Sequence, residues 1–205
     1  MKTLAIDCAT EACSAALFDG DTLLDGRFET LGRGHAERLV PMMAELPGRG
    51  RADRILVSLG PGSFTGVRIG LAAARALGLA WSAEVLGYPT LSLVAAMADA
   101  SDVTVCMNGG HGEWFVQNFA DGAPQDDVRS LAPDEAISAT RHKLVTGNRA
   151  EDLAQRIGSD TRALSALPDA RRALLLNRAR LTADLRPHYG RGPDAKLPAK
   201  ARTAP

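Results

Sequence analysis

The chain has 205 residues, only 4% of them aromatic, and a net charge of zero, so its core must be built from aliphatic side chains. The neutral total argues against a nucleic-acid binder that acts alone. No apolar run reaches the roughly 18 residues of a membrane span, and acidic residues interrupt the N-terminal apolar run, which argues against a signal peptide.

The first hundred residues predict three strands and then alternating helices and strands. Apolar runs separated by turn signals indicate the three strands, which form an antiparallel meander. The later elements follow a helical period of apolar residues or short apolar runs. In order, the predicted elements are strands over 3–8, 13–18 and 22–30, a helix over 35–46, a strand over 54–59, a helix over 67–80, a short apolar stretch over 84–86 and a helix from an N-cap at Thr90 through Ala98.

The remaining residues have a less regular pattern. A hairpin is expected around Asn108-Gly109-Gly110, and later residues predict a short strand over 144–146 and helices over 149–157 and 170–184. The tail from Tyr189, rich in glycine, proline and lysine, is expected to wrap or fray. Residues 141–205 hold 14 basic and 6 acidic residues. This basic end is expected either to face solvent or to meet an acidic partner or a phosphate backbone within a complex.

The segment GPGSFTGVR, residues 60–68, is the most informative stretch. It lies between an apolar strand and a helix of low charge, an order that presents backbone N–H groups to an anion at the helix N-terminus. It is not a Walker A loop, because no lysine follows its glycines. The alternative is that the glycines serve only for tight backbone packing, which their conformational freedom permits.

The helix over 67–80 has apolar residues on several faces, and Arg68 and Arg75 are its only charges. A helix without a polar face is buried on more than one side, so either this chain's own helices or a second chain must cover it. On the preceding helix, the predicted core stripe leaves Met42 outside, which is a weaker sign of a contact surface. That predicted stripe consists of Ala36, Leu39, Val40 and Met43.

Candidates for catalysis are few. The four histidines form no HxxxH pair and the three cysteines no CxxC pair, so no metal site is predicted, and the few cysteines indicate a reducing cytoplasm. Asp7 ends the first strand near Thr10, as in phosphate-binding hairpins of actin-type kinases. Ala9 between them places a methyl group where a phosphate would approach the backbone. His35, close to Glu37, is expected to cap a helix.

Four segments of the chain resemble the bacterial TsaB family of tRNA threonylcarbamoyladenosine biosynthesis proteins. GPGSFTGVRIG is the most specific, and the others lie over 4–17, 35–46 and 188–198. The resemblance implies an α/β, actin-like (ribonuclease H-like) fold with two lobes, a mixed central sheet flanked by helices, and a reduced second lobe. The expected lobes are residues 1–100 and 101–205.

The resemblance also implies a non-catalytic subunit that pairs with the catalytic subunit TsaD and works with the ATPase TsaE. Together they transfer a threonylcarbamoyl group to N6 of adenosine 37 in tRNAs that read ANN codons. Such a subunit meets tRNA only within the complex and needs no cofactor of its own, and ADP or ATP is a candidate ligand at the partner interface. Family members pair through two helices of the first lobe, with TsaD or with a second copy of themselves.

Two sets of residues are therefore the candidate sites. The set expected at the partner interface lies on the two helices and comprises His35, Arg38, Leu39, Met42, Met43, Leu46, Val67, Arg68, Leu71, Ala74, Arg75 and Gly78. The set expected to contact a nucleotide or phosphate comprises Asp7, Thr10, Gly60, Gly62, Ser63, Thr65, Gly66 and Arg68.

Two other functions stay open at this point. An actin-fold ATPase or small-molecule kinase would use Asp7, Thr10 and the glycine segment, and a glycoprotease-like metallopeptidase would need metal ligands that the histidine spacing does not offer. The chain also departs from the family where Asn108-Gly109-Gly110 stands in place of an Asp-Ala-Arg sequence. That departure puts a nucleotide contact by the second lobe in doubt.

Overall fold

A computed structural model of the protein describes residues 1–190, so the expected course of the tail over 191–205 lies outside the described residues. Five strands form a first sheet in the order β3-β2-β1-β4-β5, in which β1 is antiparallel to β2 and parallel to β4. These strands are β1 (Lys2–Asp7), β2 (Ala12–Asp19), β3 (Thr22–Thr30), β4 (Arg54–Ser58) and β5 (Glu84–Tyr88).

Successive residues of a strand point to opposite faces of its sheet. The buried strands of the first sheet therefore present apolar side chains on both faces, and helices cover both. Leu4 and Ile6 of β1 pack under α1 (His35–Ala44) and α2 (Phe64–Trp81). Ala5, between them, faces α3 (Thr90–Met97) and residues 170–176 on the other side. The first sheet is therefore a buried layer between two helical layers.

A second mixed sheet follows, in the order β11-β10-β6-β7-β8, with β9 paired to β7. α3 packs on one of its faces, and α4 (Pro133–Ala139) and α5 (Ala150–Ile157) pack on the other. α3 thus lies between the two sheets and is buried from both sides. The strands of this sheet are β6 (Asp102–Gly110), β7 (Glu113–Ala120), β8 (Ala123–Pro124), β9 (Arg129–Leu131), β10 (Leu144–Thr146) and β11 (Arg162–Leu164).

These two sheets with flanking helices confirm the expected α/β class and the predicted three-strand meander. The division at residue 100 stays a prediction. The first sheet with α1 and α2 is called here the first lobe, and the second sheet with α4 and α5 the second lobe. Among the described residues, no helix combines the length and the hydropathy that a membrane span requires.

The helix predicted over 170–184 is wrong. The chain instead forms short 3-10 turns at Ala170–Leu175 and Arg178–Arg180. The side chains of Asp169 and Asn177 accept hydrogen bonds from nearby backbone N–H groups, and such local bonds compete with a continuous helix. The segment then crosses the first lobe, where Thr182 pairs with Gly87.

Three other boundaries differ from the predictions. α2 begins at Phe64, because the Ser63 hydroxyl accepts a hydrogen bond from the backbone N–H of Gly66 and caps the helix earlier than expected. The predicted N-cap at Thr90 is wrong: Pro89 holds that position, and the Thr90 hydroxyl is hydrogen bonded to Ser58 instead, at 2.6 Å. The turn of the second-lobe hairpin lies at 111–112, so β6 continues through the glycines expected to form the turn.

The glycine loop, residues 60–66, packs directly against the β1–β2 turn, residues 8–11. A β-carbon at Gly62 would collide with the carbonyl oxygen of Ala9, and one at Gly66 with the carbonyl oxygen of Cys8. Backbone atoms cannot move aside as a flexible side chain can. These two glycines therefore permit close backbone packing, which supports the packing interpretation of the segment.

Replacing Gly66 by alanine is expected to lower the free energy of unfolding by about 2 kcal/mol or more, because the new methyl group meets backbone. Gly70→Ala in the same helix is the matched control. A β-carbon at Gly70 makes only ordinary contacts, the nearest being 3.6 Å from Val57. It should leave stability unchanged or raise it by up to about 1 kcal/mol through helix propensity. Urea unfolding of both variants is the measurement, and a Gly66→Ala variant as stable as Gly70→Ala would contradict the expectation.

Candidate functional site

A cleft of about 390 Å³ lies between the two lobes and is called here the interlobe cleft. The β1–β2 turn and the glycine loop form one wall. The other wall is the end of the β6–β7 hairpin together with Asn148. Of the residues predicted to contact a nucleotide, this cleft brings together Thr10, Gly62 and Ser63.

A hydrogen bond spans the interlobe cleft. The side-chain amide of Asn148 donates to the Glu11 carboxylate at 2.9 Å, and its oxygen accepts from the backbone N–H of Asn108 at 2.8 Å. The cleft is thus lined by a carboxylate and amides, and a carboxylate repels a phosphate group that enters the same space. Neither Glu11 nor Asn148 was predicted from the sequence, since a single glutamate or asparagine in a turn has no distinctive pattern.

The β1–β2 turn has few free hydrogen-bonding groups. The carbonyl oxygen of Ala9 accepts from the backbone N–H of Ser63 at 2.7 Å, and that of Glu11 accepts from two backbone N–H groups that follow β3. The ring of His35 donates from Nε2 to the carbonyl oxygen of Thr10 at 2.9 Å. His35 therefore ties α1 to this turn from a buried position, and neither the predicted capping role nor the interface role describes it.

Asp7 lies behind this turn and is 1% exposed. Its carboxylate accepts hydrogen bonds from the backbone N–H of Ala9 at 2.9 Å and from the hydroxyl of Tyr88 at 3.0 Å. Burial outweighs these bonds and raises the pKa of Asp7 to about 6. Asp7 is buried and does not line the interlobe cleft, so its predicted phosphate contact gains no support from the structure and stays a prediction.

The other predicted nucleotide contacts divide among several places. Gly60 is buried with a φ of 92°, and a β-carbon there would meet the carbonyl oxygen of His188, so the structure gives it a packing role and its nucleotide contact stays a prediction. Thr65 and Gly66 line a separate cavity of about 470 Å³ between the N-termini of α1 and α2. Arg68 is exposed and its guanidinium lies over the ring of Phe64, 4.9 Å from the centroid.

Most of the predicted partner interface lies in the core of this chain. Most of these side chains pack against β1, β2 and β4. Their burial counts against direct contact with a partner, and the interface assignment stays a prediction. The same holds for the expected contact surface at Met42, and Val40, predicted as core, is 61% exposed. The buried residues of that prediction are His35, Leu39, Met42, Met43, Leu46, Val67, Leu71, Ala74 and Gly78.

α2 nevertheless presents an apolar surface to solvent. Ala72, Ala76, Leu79 and Ala80 are exposed along one side of the helix, with Leu79 87% exposed, and they are called here the outer face of α2. Arg75, at its edge, donates a hydrogen bond to the carbonyl oxygen of Leu185 at 2.8 Å. The side chains of Arg68 and Arg75 thus turn to Phe64 and Leu185 and leave the alanines uncovered.

Arg38, the remaining predicted interface residue, is partly exposed on α1. Its guanidinium donates to Glu29 of β3 and to Glu45 at the end of α1. This ion-pair network joins the helix to the sheet, so Arg38 has a structural role that the sequence pattern did not indicate.

No group of three histidine, cysteine, aspartate or glutamate side chains that could hold a metal ion occurs within residues 1–190.

Comparison with known proteins gives the family. Residues 29–171 match the model of the family described as TsaD: tRNA N6-adenosine threonylcarbamoyltransferase. The TsaB protein of Escherichia coli is 41% identical over 100 residues, which are 46% of this chain and 43% of the E. coli protein. The chain belongs to this TsaD-type family, in its TsaB branch. The aligned part is less than half of the E. coli TsaB.

Two further proteins extend the similarity over most of the chain. An uncharacterised protein of Mycobacterium bovis is 32% identical over 208 residues, which cover 94% of this chain and 93% of that protein. The structure of YeaZ from Pseudomonas aeruginosa has a TM-score of 0.73 and 28% identity and covers 85% of this chain and 89% of its own. Together with the sheet orders, these similarities confirm the expected actin-like fold.

The raised pKa of Asp7 predicts how stability depends on pH. The unfolded carboxyl titrates near 3.8 and the folded one near 6, so the unfolded state loses its proton first as pH rises. The contribution of Asp7 to stability therefore falls between pH 4 and 6, by roughly 3 kcal/mol for a shift of this size.

Asp7→Asn is expected to abolish that part of the pH dependence, because the amide does not titrate. Asp21→Asn, at an exposed carboxyl, is the control and should keep the wild-type fall. Urea unfolding at pH 4, 5, 6 and 7 measures the slope. Equal slopes for the wild type and Asp7→Asn would refute the assignment.

Proposed function

We propose that this chain is a non-catalytic subunit in tRNA threonylcarbamoyladenosine biosynthesis and that it acts by pairing with a TsaD-type catalytic protein. The observation that carries the proposal is the outer face of α2, an exposed row of alanines with Leu79, which is the most exposed large apolar side chain of the described residues. Exposed apolar patches of this kind mark protein–protein interfaces.

The shape of this surface fits a helix of a partner. Alanine side chains are short, so two helices that meet along them approach closely and bury backbone as well as methyl groups. Val40 on α1, which packs beside α2, adds a larger exposed apolar side chain. Arg68 and Arg75 lie seven residues apart along one edge of this surface and supply positive charge at the rim, where acidic side chains of a partner pair with little desolvation.

The interior of the first lobe supports the non-catalytic part of the proposal. Asp7 is sealed by Tyr88, and the carbonyl groups of the β1–β2 turn are engaged by His35 and by backbone N–H groups. Glu11 faces the interlobe cleft, where an anionic phosphate would have to bind. An ATPase built on this turn would have to break several of these contacts before it bound its substrate.

The named relatives support the pathway. E. coli TsaB carries threonylcarbamoyladenosine biosynthesis in its name, and the matched family model is that of a tRNA threonylcarbamoyltransferase. Within this proposal the chain works in the cytoplasm beside TsaD and TsaE and meets tRNA only in their complex. It requires no cofactor of its own, an adenine nucleotide binds at the partner interface, and a second copy of the chain uses the same surface when TsaD is absent.

Ala76→Arg is expected to weaken pairing with TsaD from the same organism at least tenfold, because a long charged side chain separates the two helices. Stability should change little, since Ala76 is exposed. Ala123→Arg, at an exposed alanine of the second lobe, is the matched control and should pair normally. Substitution of Leu71 or Ala74, which are buried, would unfold the lobe and report on stability alone.

Calorimetric titration with TsaD measures the affinity, and a threonylcarbamoylation assay with TsaD and TsaE measures function. The proposal predicts product only when this chain is present, and little product with Ala76→Arg. Wild-type affinity in Ala76→Arg would remove the outer face of α2 from the interface, and full activity without the chain would refute the function.

A further inference from the structure

Two cysteines face each other where β1 and β2 leave the turn. The antiparallel register pairs Asp7 with Ser14, and one step further it places Cys8 opposite Cys13. Their sulfur atoms lie 3.6 Å apart. Opposing β-carbons in such a pair are about 4.5–5.5 Å apart, and a disulfide needs about 3.8 Å, so a small inward shift permits the bond.

The environment makes the two thiols unequal. The hydrogen bond from the Cys8 thiol lowers the pKa of Cys13, and the same bond together with burial raises the pKa of Cys8. A thiolate is the reactive form of cysteine, so Cys13 is the nucleophile of the pair. Cys106, the third cysteine, is buried in the core of the second sheet, where burial raises its pKa to about 12.

We propose that Cys8 and Cys13 are a redox modification site, at which a hydroperoxide converts the two thiols to an intrachain disulfide that closes the β1–β2 turn. The Cys13 thiolate attacks one oxygen of hydrogen peroxide, the O–O bond breaks, and the products are a sulfenic acid and a hydroxide ion that takes up a proton. Cys8 then loses its proton and attacks the Cys13 sulfur, and the S–O bond breaks to release water. Two thiols are oxidised to one disulfide, and the peroxide is reduced to two water molecules.

The disulfide closes a covalent ring that includes residues 9–12. Three of them, Ala9, Thr10 and Glu11, line the interlobe cleft, and Glu11 accepts the hydrogen bond from Asn148 of the second lobe. Cys8 also supplies the carbonyl oxygen against which Gly66 packs. Oxidation therefore fixes the segment on which both the cleft and the start of α2 rest. Because both cysteine residues are at most 2% exposed, the reaction requires local opening of the turn and is slower than that of free cysteine.

The test exposes the full native chain to hydrogen peroxide, then unfolds it in excess N-ethylmaleimide and measures its mass. The reduced chain should take up three maleimide groups, one for each free cysteine, and the oxidised chain one. Trypsin leaves both cysteines in one peptide, residues 3–27, because no lysine or arginine lies between Lys2 and Arg27. That peptide should lose two hydrogen atoms on oxidation and regain them with dithiothreitol.

Cys106→Ala is the matched control and should form the same bond, whereas Cys13→Ala should not. In the oxidised chain, the backbone amide hydrogens of residues 9–12 should exchange more slowly with solvent. The proposal fails if peptide 3–27 of the peroxide-treated chain carries two maleimide groups, if it carries a sulfinic acid without the bond, or if the bond joins two chains. The mass of peptide 3–27 from the wild-type chain tests the proposal even if a variant does not fold.

Discussion

The first lobe depends on the direct packing of one backbone segment on another. The glycine loop lies against the carbonyl groups of the β1–β2 turn with no side chain between them, at Gly62 and Gly66. The Ser63 N–H bonds to the Ala9 carbonyl oxygen across this contact. Such packing sets the distance between β1 and the start of α2 to within the size of a methyl group. The position of α2 on the sheet follows from it.

This contact has consequences on both sides of the sheet. With α2 held against β1 and β4, its buried face consists of Gly66, Val67, Gly70, Leu71 and further residues at helical spacing, and the outer face of α2 is left exposed. On the side of the turn, the backbone hydrogen bonds that hold it leave Asp7 enclosed with Tyr88. The exposed outer face of α2 and the enclosure of Asp7 therefore have a common origin. Both support the proposed docking role over phosphate binding.

Much of this architecture could be predicted from the sequence, because strand patterns and turn residues are local signals. The meander and the order of elements through α3 are examples. Which face of α1 packs inward was harder to predict. Its buried side includes His35, because the ring donates to the Thr10 carbonyl oxygen, and this turns Val40 outward. A hydrophobicity pattern assigns histidine to the surface and valine to the core, and only the tertiary hydrogen bond reverses that order.

The site was predicted less well than the fold, for a similar reason. Every face of α2 is rich in alanine, glycine or leucine, so composition shows that the helix lacks a polar face but does not show which face packs inward. The partners of the cleft come from distant parts of the chain, as Glu11 and Asn148 do. Tyr88 of β5 contacts Asp7 of β1 because the order of the sheet places β5 two strands from β1. Contacts of this kind depend on topology, which no short sequence motif encodes.

The return of the C-terminal segment to the first lobe has a consequence for synthesis in the cell. Thr182 pairs with Gly87, and the N–H of His188 donates to the carbonyl oxygen of Leu59, so the first sheet is completed by residues that are synthesised much later than its strands. A ribosome that has released only the first hundred residues holds a sheet with an uncovered apolar face, where Ala170, Ala173 and Leu176 will later pack. Until those residues emerge, that apolar face of the nascent polypeptide is exposed to other chains.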